Sequence, residues 1–157
     1  MNNRFLHVLF RVADAEYVVA ASNVLHMESF TGATKVPGTV GYVIGVMQIR
    51  HRVVPIIDLR RRFGLPDVPA TIDSRVVVVQ CGERAVGLVV DLAREVIELA
   101  ADAFSAPPEV VTQQAQGFVT ALAQAGKRML MLVDLHKIVG DDAGRGKETL
   151  RDEQRGE

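Results

Sequence analysis

Short apolar runs separated by small polar corners recur along the whole chain. The first run, Arg4 to Val12, is followed by a polar turn at residues 13–16 and a second run, Tyr17 to Ala21. Runs of this length, bounded by turn-forming residues, are typical of strands paired in hairpins. A turn capped by Ser22 is then expected to lead into residues 24–27. The pattern predicts a protein built from hairpins, with little helix.

The most informative stretch is GVMQIRHRVVPIIDLRRRFG, residues 45–64. Two apolar segments, Val43–Ile49 and Val53–Ile57, flank a charged corner at residues 50–52, so a hairpin with a charged tip is predicted. Pro55 lies inside the second segment and cannot donate a ladder hydrogen bond. This strand is therefore predicted to lie at a sheet edge or to face a bulge at Pro55.

The apolar pattern continues beyond this hairpin. A loop with two prolines, residues 65–69, is the best internal boundary, and it predicts one subdomain at about 14–65 and another at about 70–140, with the N-terminal strand able to cross over. The later strands are predicted at residues 75–80, 85–90, 96–99, 117–124 and 127–133. Residues 141–157 have mixed charge and almost no apolar side chains, so a flexible tail is expected.

One short motif occurs twice. Residues 56–64, IIDLRRRFG, match residues 132–140, LVDLHKIVG, with the same spacing from aspartate to glycine. In each copy the aspartate, Asp58 or Asp134, is predicted to cap a helical turn that the glycine ends. The repeat indicates two related β-subdomains, and many short strands favour small barrels over open sheets.

Composition and charge exclude several functional classes. The chain of 157 residues is 48% apolar and 24% charged, and no apolar run is long enough to span a membrane. The N-terminus lacks the pattern of a secretory signal, and Cys81 is the single cysteine, so a reducing cytoplasm is the expected location. A net charge of −1 and few aromatic residues do not favour nucleic-acid binding.

Candidate catalytic groups are sparse. Asp58, Asp91 and Asp134 each end an apolar run and are interpreted as caps or turns. The four histidines show no ligand spacing, and nothing places Cys81 beside a histidine, so neither a metal site nor a nucleophilic pair is predicted. The basic cluster Arg50–Arg62 supports one alternative, a small barrel that binds nucleic acid or a small ligand.

Taken together, several blocks carry a family resemblance over about residues 4–140. The chain resembles the CheW-type chemotaxis coupling proteins, and the order of the blocks is more specific than any one of them. The blocks are Glu16-Tyr17, Val24 with Met27, Pro37, residues 45–50 (GVMQIR), 53–59 (VVPIIDL), 62–64 (RFG), 86–91 (VGLVVD), Val96, Pro107-Pro108 and 129–134 (MLMLVD).

The resemblance implies an all-β fold of two packed five-stranded SH3-like barrels with short helical turns, forming one domain over residues 1–140. It implies a non-enzymatic adaptor without cofactor or metal, recruited to receptor arrays. Its partners would be the cytoplasmic tips of chemoreceptors and the regulatory domain of a CheA-type histidine kinase. The partner-binding residues it implies are Val24, His26, Gly45, Gln48, Ile49, Arg50, His51, Val86, Gly87 and Val89.

The chain departs from the family pattern at three of these positions. His26, Gln48 and His51 stand where the family usually has glutamate, asparagine and glycine. Replacing a carboxylate by His26 removes a fixed negative charge, and His51 carries a Cβ that glycine lacks. These changes leave the predicted fold intact but predict a specialised coupling protein, or one that binds only one of the two usual partners.

Overall fold

The computed structural model describes residues 4–114 and 117–140, and it consists mainly of short strands. The strands are β1 (Arg4–Val12), β2 (Ala15–Ala20), β3 (Val24–Ser29), β4 (Val43–Ile49), β5 (Arg52–Asp58), β6 (Arg75–Cys81), β7 (Arg84–Val90), β8 (Leu92–Ala100), β9 (Phe104–Ser105), β10 (Val119–Ala125) and β11 (Arg128–Val133). The α-helices are α1 (Leu59–Arg62), α2 (Glu109–Gln114) and α3 (Leu135–Val139), and 3-10 turns cover Ala21–Asn23 and Ala101–Ala103. The predicted tail lies outside the described residues.

The strands form two sheets. The first sheet has the order β3-β6-β7-β5-β4, and the second has the order β8-β1-β2-β11-β10-β9. This confirms the predicted all-β fold with two packed units. The second sheet has a sixth strand because the two-residue β9 pairs with β10.

The chain also links the two edges of the first sheet. After β3, at one edge, it continues to Thr34, which pairs with Val46 of β4, at the opposite edge. The two residues exchange backbone hydrogen bonds of 2.9 and 2.8 Å. Because only residues 30–33 separate this pair from β3, the first sheet curls around its own interior instead of staying open.

The division of strands between the sheets differs from the division predicted at the loop of residues 65–69. Strand β2 belongs to the second sheet, and β6 and β7 belong to the first. Hairpin β6–β7 lies between β3 and β5, and hairpin β1–β2 lies between β8 and β11. Each sheet is therefore completed by a hairpin distant in sequence, which a boundary read from loop composition cannot reveal.

The repeated motif has the same structure in both sheets. The Asp58 carboxylate accepts a hydrogen bond from the backbone N–H of Arg60 (3.0 Å), and Asp134 accepts one from Lys137 (3.1 Å). Both predicted caps are confirmed. In each sheet the strand before the cap pairs in parallel with a strand of the central hairpin, β5 with β7 and β11 with β2. The two sheets are thus copies of one topology.

The central hairpins are buried on both faces. Along β6, Val77 and Val79 lie in a core cluster shared by both sheets, while Val76 and Val78 lie in a cluster inside the first sheet. Strand β1 alternates in the same way, with Phe10 in the shared core and Leu9 inside the second sheet. This double burial explains why β6 contains four consecutive valines rather than an alternating pattern.

Pro55 does not lie at an edge, because β5 is placed between β7 and β4. Its partner Val46 directs both backbone groups towards Thr34, so the Pro55–Val46 pair carries no ladder hydrogen bonds between β4 and β5. The Pro55 nitrogen therefore faces β7, where the parallel pairing begins only at Ile56. The proline is tolerated within the sheet because no ladder hydrogen bond requires a backbone N–H at residue 55.

Two smaller expectations are also corrected. The 3-10 turn Ala21–Asn23 has no side-chain cap, so Ser22 does not act as predicted. Residues 109–114 form α2, which the sequence pattern did not predict. Helix α2 follows Pro107-Pro108, and the N–H of Val111 donates to the carbonyl of Pro108 (2.9 Å). Prolines suit the start of a helix, where their missing donor costs nothing.

Two carboxylates stabilise the hairpins of the second sheet through hydrogen bonds to other segments. Asp91 accepts from the Arg60 guanidinium (2.7 Å) and from the backbone N–H of Ala13 (2.7 Å), and Glu16 accepts from Arg128 (2.7 Å). Burial raises the pKa of Asp91, but these hydrogen bonds outweigh it and leave the pKa below its usual value of 3.8. The Arg128 hydrogen bond lowers the pKa of Glu16 below its usual 4.5.

The lowered pKa values of Asp91 and Glu16 predict that acid destabilises the fold. Because each pKa is lower in the folded chain than in the unfolded chain, the stabilisation is complete at neutral pH and is lost as the pH falls through the lowered folded pKa values. Urea midpoints measured at pH 7, 5 and 3 check this. Asp91→Asn should weaken the fall between pH 5 and pH 3, whereas Glu83→Gln, on an exposed turn, should leave it unchanged.

Candidate functional site

All ten residues implied by the resemblance lie in the first sheet, on β3, on β4 and its turn, and on β7. They differ in exposure. Gln48, Arg50 and His51 are exposed; Val24, His26 and Val89 are half-buried; Gly45, Ile49, Val86 and Gly87 are buried. The structure thus separates residues that a partner can touch from residues that support them.

The exposed residues form the tip of the β4–β5 hairpin. Arg50 and His51 are its two turn residues, with φ angles of 49° and 69°, in the left-handed region that favours glycine. Such a turn matches the twist of the two strands, so the tip is held in one conformation despite the energetic cost to two residues with Cβ atoms. The Arg50 side chain is 67% exposed.

An ion pair connects this tip to β3. The Arg50 Nε lies 3.5 Å from a carboxylate oxygen of Glu28, which lies in the strand that carries Val24 and His26. Exposed pairs at this distance contribute little to stability. The contact nevertheless shows that the tip and β3 meet on one side of the first sheet, although they belong to strands at opposite edges.

The four buried residues support the surface from below. Ile49 is 5% exposed within the first sheet, and Val86 is fully buried in the shared core. Gly45 has a φ of 151°, and a Cβ there would overlap the carbonyl of Thr34. A Cβ on Gly87 would come within 2.6 Å of the side chains of Ile56 and Val76. Packing inside the protein therefore explains which residue occupies each of these four positions.

The structure adds apolar residues that sequence reasoning missed. Val53 follows the tip and is 60% exposed, and Leu25 and Met27 of β3 are each 38% exposed. Leu25 and Met27 lie two positions apart in β3, and residues at this spacing share one face of a strand, which is the sequence signal that could have identified them. We call the exposed side chains of Gln48, Arg50, His51 and Val53, together with β3, the tip surface.

Most of the basic cluster is engaged within the protein. Arg60 pairs with Asp91, Arg61 lies 3.1 Å from Asp67, and Arg62 donates to two backbone carbonyls. Of the cluster, Arg50 belongs to the tip surface, and Arg52 follows the turn as the first residue of β5. Three of its five arginines therefore serve the fold, which removes most of the support for a nucleic-acid site.

The fold also brings together two residues that the sequence did not connect. The Cys81 sulfur lies 3.4 Å from Nδ1 of His136, beside a cavity of about 430 Å³. Burial raises the pKa of the Cys81 thiol, so it remains protonated near neutral pH, whereas a nucleophilic cysteine needs the opposite shift. The pair does not have the electrostatics of an activated nucleophile.

Residues 4–114 and 117–140 contain neither a metal-binding cluster nor a membrane-spanning helix. No group of three or more histidine, cysteine, aspartate or glutamate side chains there is arranged to hold a metal ion. Within the same residues, no helix is long and apolar enough to cross a membrane.

The fold and its exposed hairpin tip define a two-sheet β protein whose candidate site is a surface and not a cleft. The chain belongs to the CheW-like domain family, whose model matches residues 6–143.

Known relatives support this assignment. The chemotaxis protein CheW of Klebsiella aerogenes is 32% identical over 135 residues, which cover 86% of this chain and 81% of the relative. The chemotaxis protein CheW of Bacillus subtilis is 28% identical over 136 residues and covers 87% of each chain. The crystal structure of the scaffolding protein TtCheW from Thermoanaerobacter tengcongensis matches with a TM-score of 0.81 at 28% identity, covering 91% of this chain and 96% of that one.

The packing of the buried glycines leads to a test of their role. Gly45→Ala and Gly87→Ala should each destabilise the protein by about 1–3 kcal/mol, because each adds a methyl group where no space exists. Chemical denaturation measures the change. Gly41→Ala is the matched control, since a Cβ there meets nothing within 4 Å. Unchanged stability of both variants would place these glycines on the surface instead.

Proposed function

We propose that this protein is a non-enzymatic adaptor that couples the cytoplasmic tips of chemoreceptors to the regulatory domain of a CheA-type histidine kinase. The observation that carries the proposal is the preorganised tip surface on a fold of the CheW-like family. Relatives named as chemotaxis proteins and a relative named as a scaffolding protein support it. An adaptor of this kind acts in the cytoplasm, at receptor arrays.

The chemistry of the tip surface suits protein recognition. Exposed apolar side chains, Val53, Leu25 and Met27, lie in the same region as the cationic turn. Arginine is enriched among binding hot spots, and apolar contacts around it help to exclude water from the interface. The conformation of the turn is set by the hairpin before any partner arrives, so little ordering entropy is lost on binding.

Specificity is assigned to the three departures from the family pattern. Gln48 and His51 are exposed at the tip, and His26 is half-buried on β3. Exchanging a carboxylate for an imidazole removes an ion pair with one partner and a like-charge clash with another. These residues therefore adapt the tip surface to this protein's own partner.

The adaptor proposal predicts a binding role for Arg50. Arg50→Glu should weaken binding to the kinase regulatory domain by more than about 1.4 kcal/mol, a tenfold loss, because it reverses the charge at the tip. Its melting temperature should stay near that of the wild type, since the ion pair that Arg50 makes with Glu28 is exposed. Isothermal titration calorimetry measures the affinity.

Two controls separate binding from stability. Glu28→Gln removes the ion pair but keeps Arg50, and Arg4→Glu reverses an exposed charge in the second sheet. Arg4→Glu should bind like the wild type, and Glu28→Gln, which removes a charge within the tip surface without reversing one, should lose less affinity than Arg50→Glu. Equal binding by Arg50→Glu and the wild type would remove Arg50 from the site, and a large fall in its melting temperature would show a structural role instead.

The specificity proposal predicts opposite effects on two partners. The triple change His26→Glu, Gln48→Asn and His51→Gly should raise affinity for a receptor fragment typical of the family and lower it for this protein's own receptor. A change of about tenfold in each direction is expected from altering one charged contact and one turn residue. If both affinities are indifferent to the triple change, these positions do not determine specificity.

A further inference from the structure

One arginine of the first sheet is bonded to a helix of the second sheet's repeat unit. Arg62, the last residue of α1, donates from Nε to the carbonyl of Ile138 and from Nη2 to the carbonyl of Lys137, both at 2.8 Å. These carbonyls belong to the end of α3, where backbone acceptors lack partners within the helix. Arg62 therefore caps the C-terminal end of α3, although it lies 76 positions before Ile138 in the sequence.

The same guanidinium lies against two aromatic rings from different repeats. Its central carbon is 3.9 Å from the centre of the Tyr42 ring and 4.8 Å from that of Phe118. Tyr42 precedes β4 in the first sheet, and Phe118 precedes β10 in the second. A planar cation can stack on aromatic faces while its edge donates hydrogen bonds, which a lysine cannot do.

These contacts follow the internal repeat. Tyr42 and Phe118 are equivalent positions, since the carbonyl of Tyr42 accepts from the N–H of Asp58 (3.0 Å) and that of Phe118 accepts from Asp134 (2.8 Å). Ile138 is the repeat equivalent of Arg62 itself, in the matched segments 56–64 and 132–140. Arg62 thus binds the backbone of its own counterpart and lies where the two repeats face each other.

The surroundings leave little room for another arrangement. The next residue, Phe63, packs its ring on Tyr17 of β2 and on Phe118, with centroid distances of 5.2 and 5.4 Å. Gly140 ends α3 with a φ of 63°, and a Cβ there would lie 3.3 Å from Nη2 of Arg62. Aromatic packing and two hydrogen bonds from a charged donor together restrict how the sheets rotate against each other.

We propose that Arg62 is a positioning residue that sets the orientation of the second sheet relative to the tip surface. The orientation matters for function because an adaptor must hold its partners in a fixed relation, and that last step rests on the proposed function. The first step, the coupling of the sheets, depends only on the contacts above.

The test compares Arg62→Met with Arg61→Met in the full chain. Both replace one arginine of α1, but Arg61 pairs with Asp58 and Asp67 inside its own repeat. Residual dipolar couplings of the backbone amides should fit one alignment tensor for both sheets in the wild type and in Arg61→Met. In Arg62→Met, strands β10 and β11 with α3 should need a tensor rotated from that of β6 and β7 by more than the fitting error.

Hydrogen exchange provides a second readout that general destabilisation would not reproduce. In Arg62→Met, exchange of the Ile138 and Gly140 amides should rise by about tenfold or more, while the protected β6 amides change little. Arg62→Lys should restore the α3 protection only in part. A single tensor for Arg62→Met, or an equal rise in exchange at α3 and β6, would overturn the proposal.

A binding experiment connects the coupling to the adaptor role. Arg62→Met should bind the isolated kinase regulatory domain through the tip surface as the wild type does, but recover at least about tenfold less of a three-component complex with a receptor fragment. Full recovery of that complex would overturn the functional step. If the wild type binds neither partner, the proposed function fails, and the dipolar couplings still decide the role of Arg62.

Discussion

The structure depends on one shared apolar core between the two sheets. The faces of β1, β2, β6 and β7 that point away from their own sheet's interior meet there. Residues such as Phe10, Val77 and Leu88 are almost completely buried. Neither sheet can be removed without exposing the face that the other covers, and burial of this kind is the main favourable term in folding. Because each central hairpin comes from a distant part of the chain, the two sheets form one indivisible unit.

This core also determines what the tip surface can be. Strands β5 and β7 are fixed by burial on both sides, so the β4–β5 hairpin that extends from them is presented by a rigid support. Gly45 and Gly87 permit the close backbone and side-chain packing behind it. The result is a small set of exposed side chains held in place, which suits recognition of a protein surface better than chemistry on a small molecule.

The sequence predicted much of this site but not which of its residues are buried. The hairpin, its charged tip and both aspartate caps follow from local signals, and the structure confirms them. The burial of Ile49 and Val86 and the contact of Arg50 with Glu28 do not, because they depend on which strands become neighbours. The same limit explains why Arg60 and Arg62, read as part of a basic cluster, proved to be contacts between distant segments.

By itself the sequence determined the local elements: strands from apolar runs, turns from glycine and polar corners, and helix starts from aspartates. These features arise from interactions between residues a few positions apart, so the chain encodes them directly. Only the tertiary structure decided which hairpin entered which sheet, where Pro55 was tolerated, and that Cys81 met His136. Those outcomes depend on burying apolar faces against partners far away in the chain, which no local pattern specifies.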